Sequence, residues 1–331
     1  GFGAICGSSI ATAATMGKVA YPSMKKLGYS DAMSTGVIAA GGTLGIMIPP
    51  STILVIYGII TETHIGKLFA AGVLPGILTA ILMMMAVVVM TWHNPEHAPA
   101  GEKFSWPERF QAVRGIWGVL VLVILVLGGI YGGFFTPTEG AGVGAASTFV
   151  AALLKREINW AKFKTCFYAT AESSAMIFMI FIGADVMNSS LALTQVPNQL
   201  AEVVGSWGLA PLMVVTAILL FYVVLGAVMD ELSMILLTIP IFFPMIMGLD
   251  FGMAKEPTAI WFGIMVLMTV GFGMLAPPVG LNVYVVNSMA KDVPISESYK
   301  GVMPFLISDT LRTTLLLFFP GISLWLIQYI A

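Results

Sequence analysis

Two proline pairs, Pro49-Pro50 and Pro277-Pro278, interrupt long apolar stretches of this chain. Proline has no N–H to donate to the carbonyl four residues back. The pairs therefore leave the carbonyls of Gly45 and Ile46, and of Gly273 and Met274, without their helical donors. In an apolar medium such oxygens need another partner, and unwound carbonyls at membrane depth suit a dehydrated alkali cation. A single pair reads as a plain kink. Two pairs, each preceded by glycine at the same spacing, read as matched ligand-bearing breaks. A second chemistry sits in two short polar runs, Cys6-Gly7-Ser8-Ser9-Ile10-Ala11-Thr12 and Asp230-Glu231-Leu232-Ser233, which look like hairpin tips. Hydroxyls and free N–H groups at a helix start can hold a carboxylate, and the positive end of the helix dipole favours it. Small residues also serve simply to let helices approach, but opposite a broken helix the ligand-binding reading is preferred.

Carboxylates in or beside apolar spans need a reason, because one at the bilayer centre costs about 2.5–3.5 kcal/mol on insertion scales. Asp230 and Glu231 sit where the chain turns between two apolar stretches, which points to a wet cavity or an ion site. Glu139, in Thr136-Pro137-Thr138-Glu139, reads instead as a residue of a helix's first turn. Glu172 and Asp185 receive no assignment. His93-Asn94-Pro95-Glu96-His97 matches a zinc-hydrolase pattern, but that pattern requires both histidines on one helical face and Pro95 breaks it. No phosphate loop, dinucleotide fingerprint or nucleophile elbow occurs, so ATP is not the evident energy source and an enzyme is disfavoured.

The elements that must position these groups follow from composition. Of 331 residues 58% are apolar and 10% charged, too little polar surface to coat a water-exposed globule. The expectation is an all-α integral membrane protein, with the lipid bilayer as its surroundings and room for about ten crossings or half-crossings of roughly 20 residues. No basic run resembles a nucleic-acid footprint. The two cysteines, Cys6 and Cys166, lie in apolar or small-residue stretches and read as free buried thiols. The chain opens in a small-residue stretch without an initiator Met, as a piece of a longer protein would.

Clear spans are expected over Leu68–Trp92, Val113–Phe134, Cys166–Leu193, Leu209–Met229 and Met303–Tyr329, with a short one over Thr138–Leu154. Met33–Ile60 and Ala259–Met289 are long but broken, and Gly1–Met24 and Leu232–Met247 have the character of re-entrant hairpin arms. Eleven of the 15 basic residues fall in four loops: Lys25 and Lys26; Lys103, Arg109 and Arg114; Lys155, Arg156, Lys162 and Lys164; Lys291 and Lys300. Placing those loops in the cytoplasm leaves only Lys67 and Lys255 opposite, a strong positive-inside bias. Lys18 and Arg312 lie within apolar stretches and do not vote.

An internal repeat underlies this layout. Pro49 and Pro277 are 228 residues apart, while Pro75 and Pro304, in matching Gly-Val-x-Pro contexts, are 229 apart. Pro22 and Pro244 form a third pair, and the loops that follow them face opposite sides, so the copies are inverted. The implied organisation is 1–92 as a first inverted repeat, 93–165 as cytoplasmic loops and connecting spans, and 166–331 as a second repeat. Paired interrupted helices in corresponding halves point to a secondary transporter's midplane site. The spacings Gly41 to Gly45, Gly72 to Gly76 and Gly129 to Gly133 mark close helix contacts.

Across nearly the whole chain, a set of motifs resembles one family, the large membrane (permease) subunit of TRAP transporters, C4-dicarboxylate and organic-acid importers of bacteria and archaea. The motifs are Gly7-Ser8-Ser9-Ile10-Ala11-Thr12, Lys26-Leu27-Gly28-Tyr29, Gly45-x-x-x-Pro49-Pro50-Ser51, Leu68-Phe69-Ala70-Ala71-Gly72-Val73-Leu74-Pro75-Gly76, Gly133-Phe134-Phe135-Thr136-Pro137-Thr138-Glu139 and Pro277-Pro278-Val279-Gly280-Leu281-Asn282. The resemblance implies an elevator-type carrier in the cytoplasmic membrane. It would be driven by Na+, fed by a periplasmic substrate-binding protein and paired with a small four-helix membrane subunit. Full-length relatives have further helices before this start. By position, one Na+ site would use Ser9 with backbone around Gly45 and Ile48, and Ser51 as a further candidate. The second would use Gly226, Gly273, Ala276 and Val279. Ser8, Thr12, Asn282 and Asp230, at the tips and beside the second break, are the candidate substrate contacts. The sequence departs from relatives at Cys6, where they usually show Ser, and at Ala276, where they show Thr, so backbone or water would replace those side-chain oxygens. The function implied is Na+-coupled uptake of a small organic acid; a binding-protein-independent anion/Na+ symporter, an ion channel and an intramembrane enzyme are the rivals.

Overall fold

The computed structural model describes residues 7–99, 105–206 and 208–329; Cys6 and Lys103 lie outside them. Every regular element among the described residues is helical. In chain order these are α1 (Ser9–Lys26), α2 (Asp31–Met47), α3 (Thr52–Ile60), α4 (Ile65–His93), α5 (Trp106–Tyr131), α6 (Pro137–Leu154), α7 (Trp160–Thr194), α8 (Val196–Ser206), α9 (Pro211–Gly226), α10 (Glu231–Met247), α11 (Lys255–Gly273), α12 (Leu281–Met289), α13 (Ile295–Phe318) and α14 (Gly321–Leu324), with single 3-10 turns at Pro95–His97 and Leu326–Tyr329. Among the described residues four helices, α4, α7, α11 and α13, are long and apolar enough to cross a membrane, and α2 with α3 makes a fifth span bent by 42°.

Local chemistry sets the boundaries. The span starting at Val113 in the sequence begins earlier as a helix, at Trp106, because Ser105 and Glu108 form a reciprocal capping box. Thr136 and Glu139 form another at the start of α6, with the Glu139 carboxylate accepting from the Thr136 N–H at 2.8 Å, so Glu139 has the structural role expected of it. At the other end of the chain the expected span Met303–Tyr329 stops at Phe318, just before Pro320. Helix α8 was not anticipated. Cys166 is a free thiol as expected but is exposed rather than buried, since Ala184 is the one buried residue described on α7.

Contacts divide the chain into one unit made of Gly1–Pro99 and Val186–Ala331 and another of Ala100–Asp185. In the latter, α5 packs on α6 and Phe163 of α7 touches Phe149 and stacks on Trp160. The former holds all the matched motifs of the repeat. Its packing is reciprocal: α1 lies against α12 as α10 lies against α3, α2 against α13 as α11 against α4, and α2 against α12 as α11 against α3. An exchange of partners of this kind is what a two-fold relation between two copies produces. Helix α11 is apolar on all sides and buried almost throughout, the pattern of a central helix. Its Trp261 is fully buried, with the indole N–H donated to the Leu316 carbonyl at 3.0 Å, and the Tyr57 hydroxyl of α3 donates to the Ala259 carbonyl at 2.6 Å.

Candidate functional site

Ser8 stands at the N-cap of α1 but makes no side-chain cap there. Its hydroxyl instead donates to Glu231 Oε1 at 2.8 Å, and the Ser9 N–H donates to the same oxygen at 3.1 Å. Both donors lie at the positive end of α1, where an anion is favoured. Glu231 is the first residue of α10, so its carboxylate joins the tips of the two repeats. Thr12 faces back toward this tip, donating to the Ser8 carbonyl at 2.7 Å. Asn282, fully buried, donates through Nδ2 to Ser9 Oγ at 2.6 Å and to the Ala39 carbonyl at 3.3 Å. Gly45 closes the cluster, because a methyl group there would lie 2.8 Å from the Ser8 carbonyl and would strike the Thr12 hydroxyl. Ser8, Ser9, Thr12, Gly45 and Asn282, named separately from the sequence, thus lie in one cluster.

Asp230 has a different task. Its Oδ1 accepts from the N–H groups of Leu232 and Ser233, both at 3.0 Å, and so caps α10. Of the adjacent acids it is Glu231, outside the candidate substrate contacts, that reaches across the tips. Which of the two does so was not readable from their order, since either fits the first turn of a helix.

At the first break α2 ends at Met47, Ile48 is extended, and Ser51 Oγ accepts from the Leu54 N–H at 3.4 Å to start α3. Pro49 and Pro50, joined by a cis peptide bond, return no N–H to the carbonyls of Gly45 and Ile46. Gly72 and Gly76 let α4 approach this break, a methyl at Gly72 reaching to 3.3 Å from the Met47 carbonyl.

The second break is more fully hydrogen-bonded than proline chemistry alone suggests. The Gly273 carbonyl takes the Ala276 N–H at 3.0 Å, and the Met274 carbonyl takes the Asn282 N–H at 3.1 Å. Neither is orphaned, because the chain tightens into a turn before the cis Pro277-Pro278 bond and then folds back. The Tyr299 hydroxyl lies 2.7 Å from the Pro278 carbonyl and 2.8 Å from that of Val279. Gly226 and Gly273 meet backbone to backbone, a methyl on Gly273 lying 2.7 Å from the Gly226 Cα, and the Gly280 N–H donates to the Ala227 carbonyl at 3.1 Å. Gly280 has φ +55, and a methyl there would lie 3.1 Å from the Ala276 carbonyl. Gly226, Gly273, Ala276 and Val279 therefore line one region. Its oxygens are backbone carbonyls, each with a second lone pair, whereas the Ser9 hydroxyl lies against the Asn282 amide. Neutral oxygen donors of this kind are chemically suited to a hard monovalent cation.

A buried ion pair escaped the sequence reading. Arg312 and Asp309, one helical turn apart on α13, are 3.0 Å apart and almost inaccessible. Arg312 also donates to the Met268 carbonyl of α11 at 2.9 Å and approaches Thr79 of α4 and the Met47 sulfur of α2. It ties together the helices that lead into both breaks. An arginine in an apolar stretch was the available signal, and its i−3 acid was the partner.

Two interrupted helices, two opposed tips and an all-helical frame with several apolar spans define a multi-pass membrane protein of the transporter class. Residues 1–322 match the family described as tripartite ATP-independent periplasmic transporter, DctM component. The chain belongs to this family of the cytoplasmic membrane, whose named relatives are transport subunits rather than enzymes. It is similar to the C4-dicarboxylate TRAP transporter large permease protein DctM of Pseudomonas aeruginosa, at 34% identity over 98% of this chain and 74% of that one. It is also similar to the ectoine TRAP transporter large permease protein TeaC of Halomonas elongata, at 36% over 98% and 74%, and to the sialic acid TRAP transporter large permease protein SiaM of Vibrio cholerae, at 30% over the same shares.

Proposed function

We propose that the chain carries a small organic anion, a carboxylate, into the cell together with Na+. The observation that supports this most is the cross-tip cluster of Ser8, Ser9, Glu231 and Asn282, set between two interrupted helices. A carboxylate is taken at the tips, by the Ser8 hydroxyl and the N–H groups at the start of α1, with Thr12 and Asn282 beside them. One Na+ is held at the first break by Ser9, the Gly45 and Ile48 backbone and Ser51. A second is held by carbonyls of Gly226, Gly273, Ala276 and Val279. Filling both breaks favours closure of the tips over the substrate, and exchange of the inverted halves alternates access in an elevator-type movement. Similar proteins are named for C4-dicarboxylate, ectoine and sialic acid, so a carboxylate-bearing solute is the shared chemistry. The working transporter includes a small membrane subunit and a periplasmic binding protein.

The test is uptake of a panel of labelled organic acids into proteoliposomes holding the full complex, with and without inward Na+ and with and without the binding protein. Accumulation of one acid that needs both supports the proposal. Equal uptake with choline in place of Na+ refutes the coupling. Equal uptake without the binding protein favours an independent symporter, and flux that ignores the Na+ gradient with no counterflow favours a channel.

A further inference from the structure

We propose that the Glu231 carboxylate is an internal occupant of the anion seat at the start of α1. It holds the two tips together in the substrate-free carrier and yields the seat to the carboxylate of an incoming substrate. This rests on the reading of the tips as the organic-anion site.

The seat consists of the Ser8 hydroxyl and the Ser9 N–H, both aimed at one carboxylate oxygen, at 2.8 and 3.1 Å. Ser8 leaves its own helix uncapped to make this contact. Because Glu231 is also the first residue of α10, its charge lies at the starts of two helices, the most favourable local field for an anion. The contact is nevertheless only half satisfied. Glu231 is 4% exposed, and its second oxygen, Oε2, is buried without a hydrogen-bond partner, as is Oδ1 of the neighbouring Asn282. A buried anionic oxygen lacking a donor keeps its desolvation penalty, so a ligand that fills the same two donors and adds contacts of its own can replace it.

Exchange, rather than occupancy side by side, follows from charge. Among the described residues no Lys or Arg donates to Glu231, Ser8, Ser9 or Asn282. Even with a Na+ held by Ser9, a second carboxylate beside Glu231 would leave two like charges facing one cation in a low-dielectric site, with no Lys or Arg to offset the excess. The entering group must then resemble what it displaces, which makes Glu231 a specificity-determining residue that disfavours neutral solutes.

The experiment compares wild type, Glu231→Gln and Glu231→Ala in the full complex. In the ligand-free state the amides of residues 9–12 are expected to exchange hydrogen faster in both variants than in wild type. In proteoliposomes at saturating Na+, the KM for labelled succinate is expected to be about tenfold lower in Glu231→Gln, the equivalent of one charge-assisted hydrogen bond removed from a competitor. Equal exchange in all three proteins overturns the latch whatever the substrate. A KM that is unchanged or raised in Glu231→Gln overturns the displacement. A wild type with no Na+-driven uptake of any acid counts against the proposed function alone, and the exchange comparison still decides the latch.

Discussion

The side-chain amide of Asn282 donates to the Ser9 hydroxyl at 2.6 Å, joining residues 273 positions apart. The same residue holds the Ala39 carbonyl of α2 and, through its backbone N–H, the Met274 carbonyl of the second break. One residue thus connects the first tip, the first interrupted helix and the second interruption, so a change at either break reaches the tips directly.

Asn282→Ala is therefore expected to leave the Ser9 hydroxyl and the Ala39 carbonyl without that donor, destabilising the protein by roughly 1–3 kcal/mol. It is also expected to raise the half-saturation for both Na+ and substrate. Thermal unfolding of the complex and uptake kinetics check this; an effect on stability with both half-saturations intact would limit Asn282 to packing.

Backbone proximity at the breaks predicts a graded glycine series. Val at Gly273 would collide with Gly226, and Val at Gly45 would collide with Thr12 and the Ser8 carbonyl, so both variants should need more Na+ for uptake. Gly41, also on α2, faces nothing within 4 Å. There Gly41→Ala should fold as well or better, by up to about 1 kcal/mol from helix propensity, with Na+ dependence unchanged.

Ser51 can be tested apart from its cap. Replacing a serine N-cap with glycine costs only a few tenths of a kcal/mol, whereas alanine costs about 1 kcal/mol. Ser51→Gly should therefore fold nearly as wild type but show a severalfold higher Na+ half-saturation, read from uptake over a Na+ titration. An unchanged titration confines Ser51 to starting α3.

The repeat, the breaks and the tips were legible because their signals are local: proline without an N–H, glycine where backbones meet, short polar runs before apolar ones. Pairings across the repeat were not. The order Asp230-Glu231 does not say which acid caps α10 and which crosses to Ser8. The proline rule likewise marks the Gly273 carbonyl as open, although the turn that brings the Ala276 N–H to it depends on the fold-back at Gly280. Arg312 stood out as a charge in an apolar stretch, but its contacts with α2, α4 and α11 come from three distant segments.

That ion pair makes a prediction of its own. Arg312→Met leaves Asp309 buried and uncompensated and should destabilise by about 3–5 kcal/mol, while Arg312→Met with Asp309→Leu should recover most of the loss. Chemical or thermal unfolding of the two variants decides; a double variant as unstable as the single would show that contacts of Arg312 with Met268 and Met47 dominate.

The central claim, that the paired breaks hold Na+, is tested most directly by equilibrium binding of radioactive Na+ to the purified complex without substrate. Binding is expected to be saturable in wild type, partly lost in Gly45→Val and in Gly273→Val, and to lose both components in the double variant. Undiminished binding in the double variant, provided it remains folded, would contradict it.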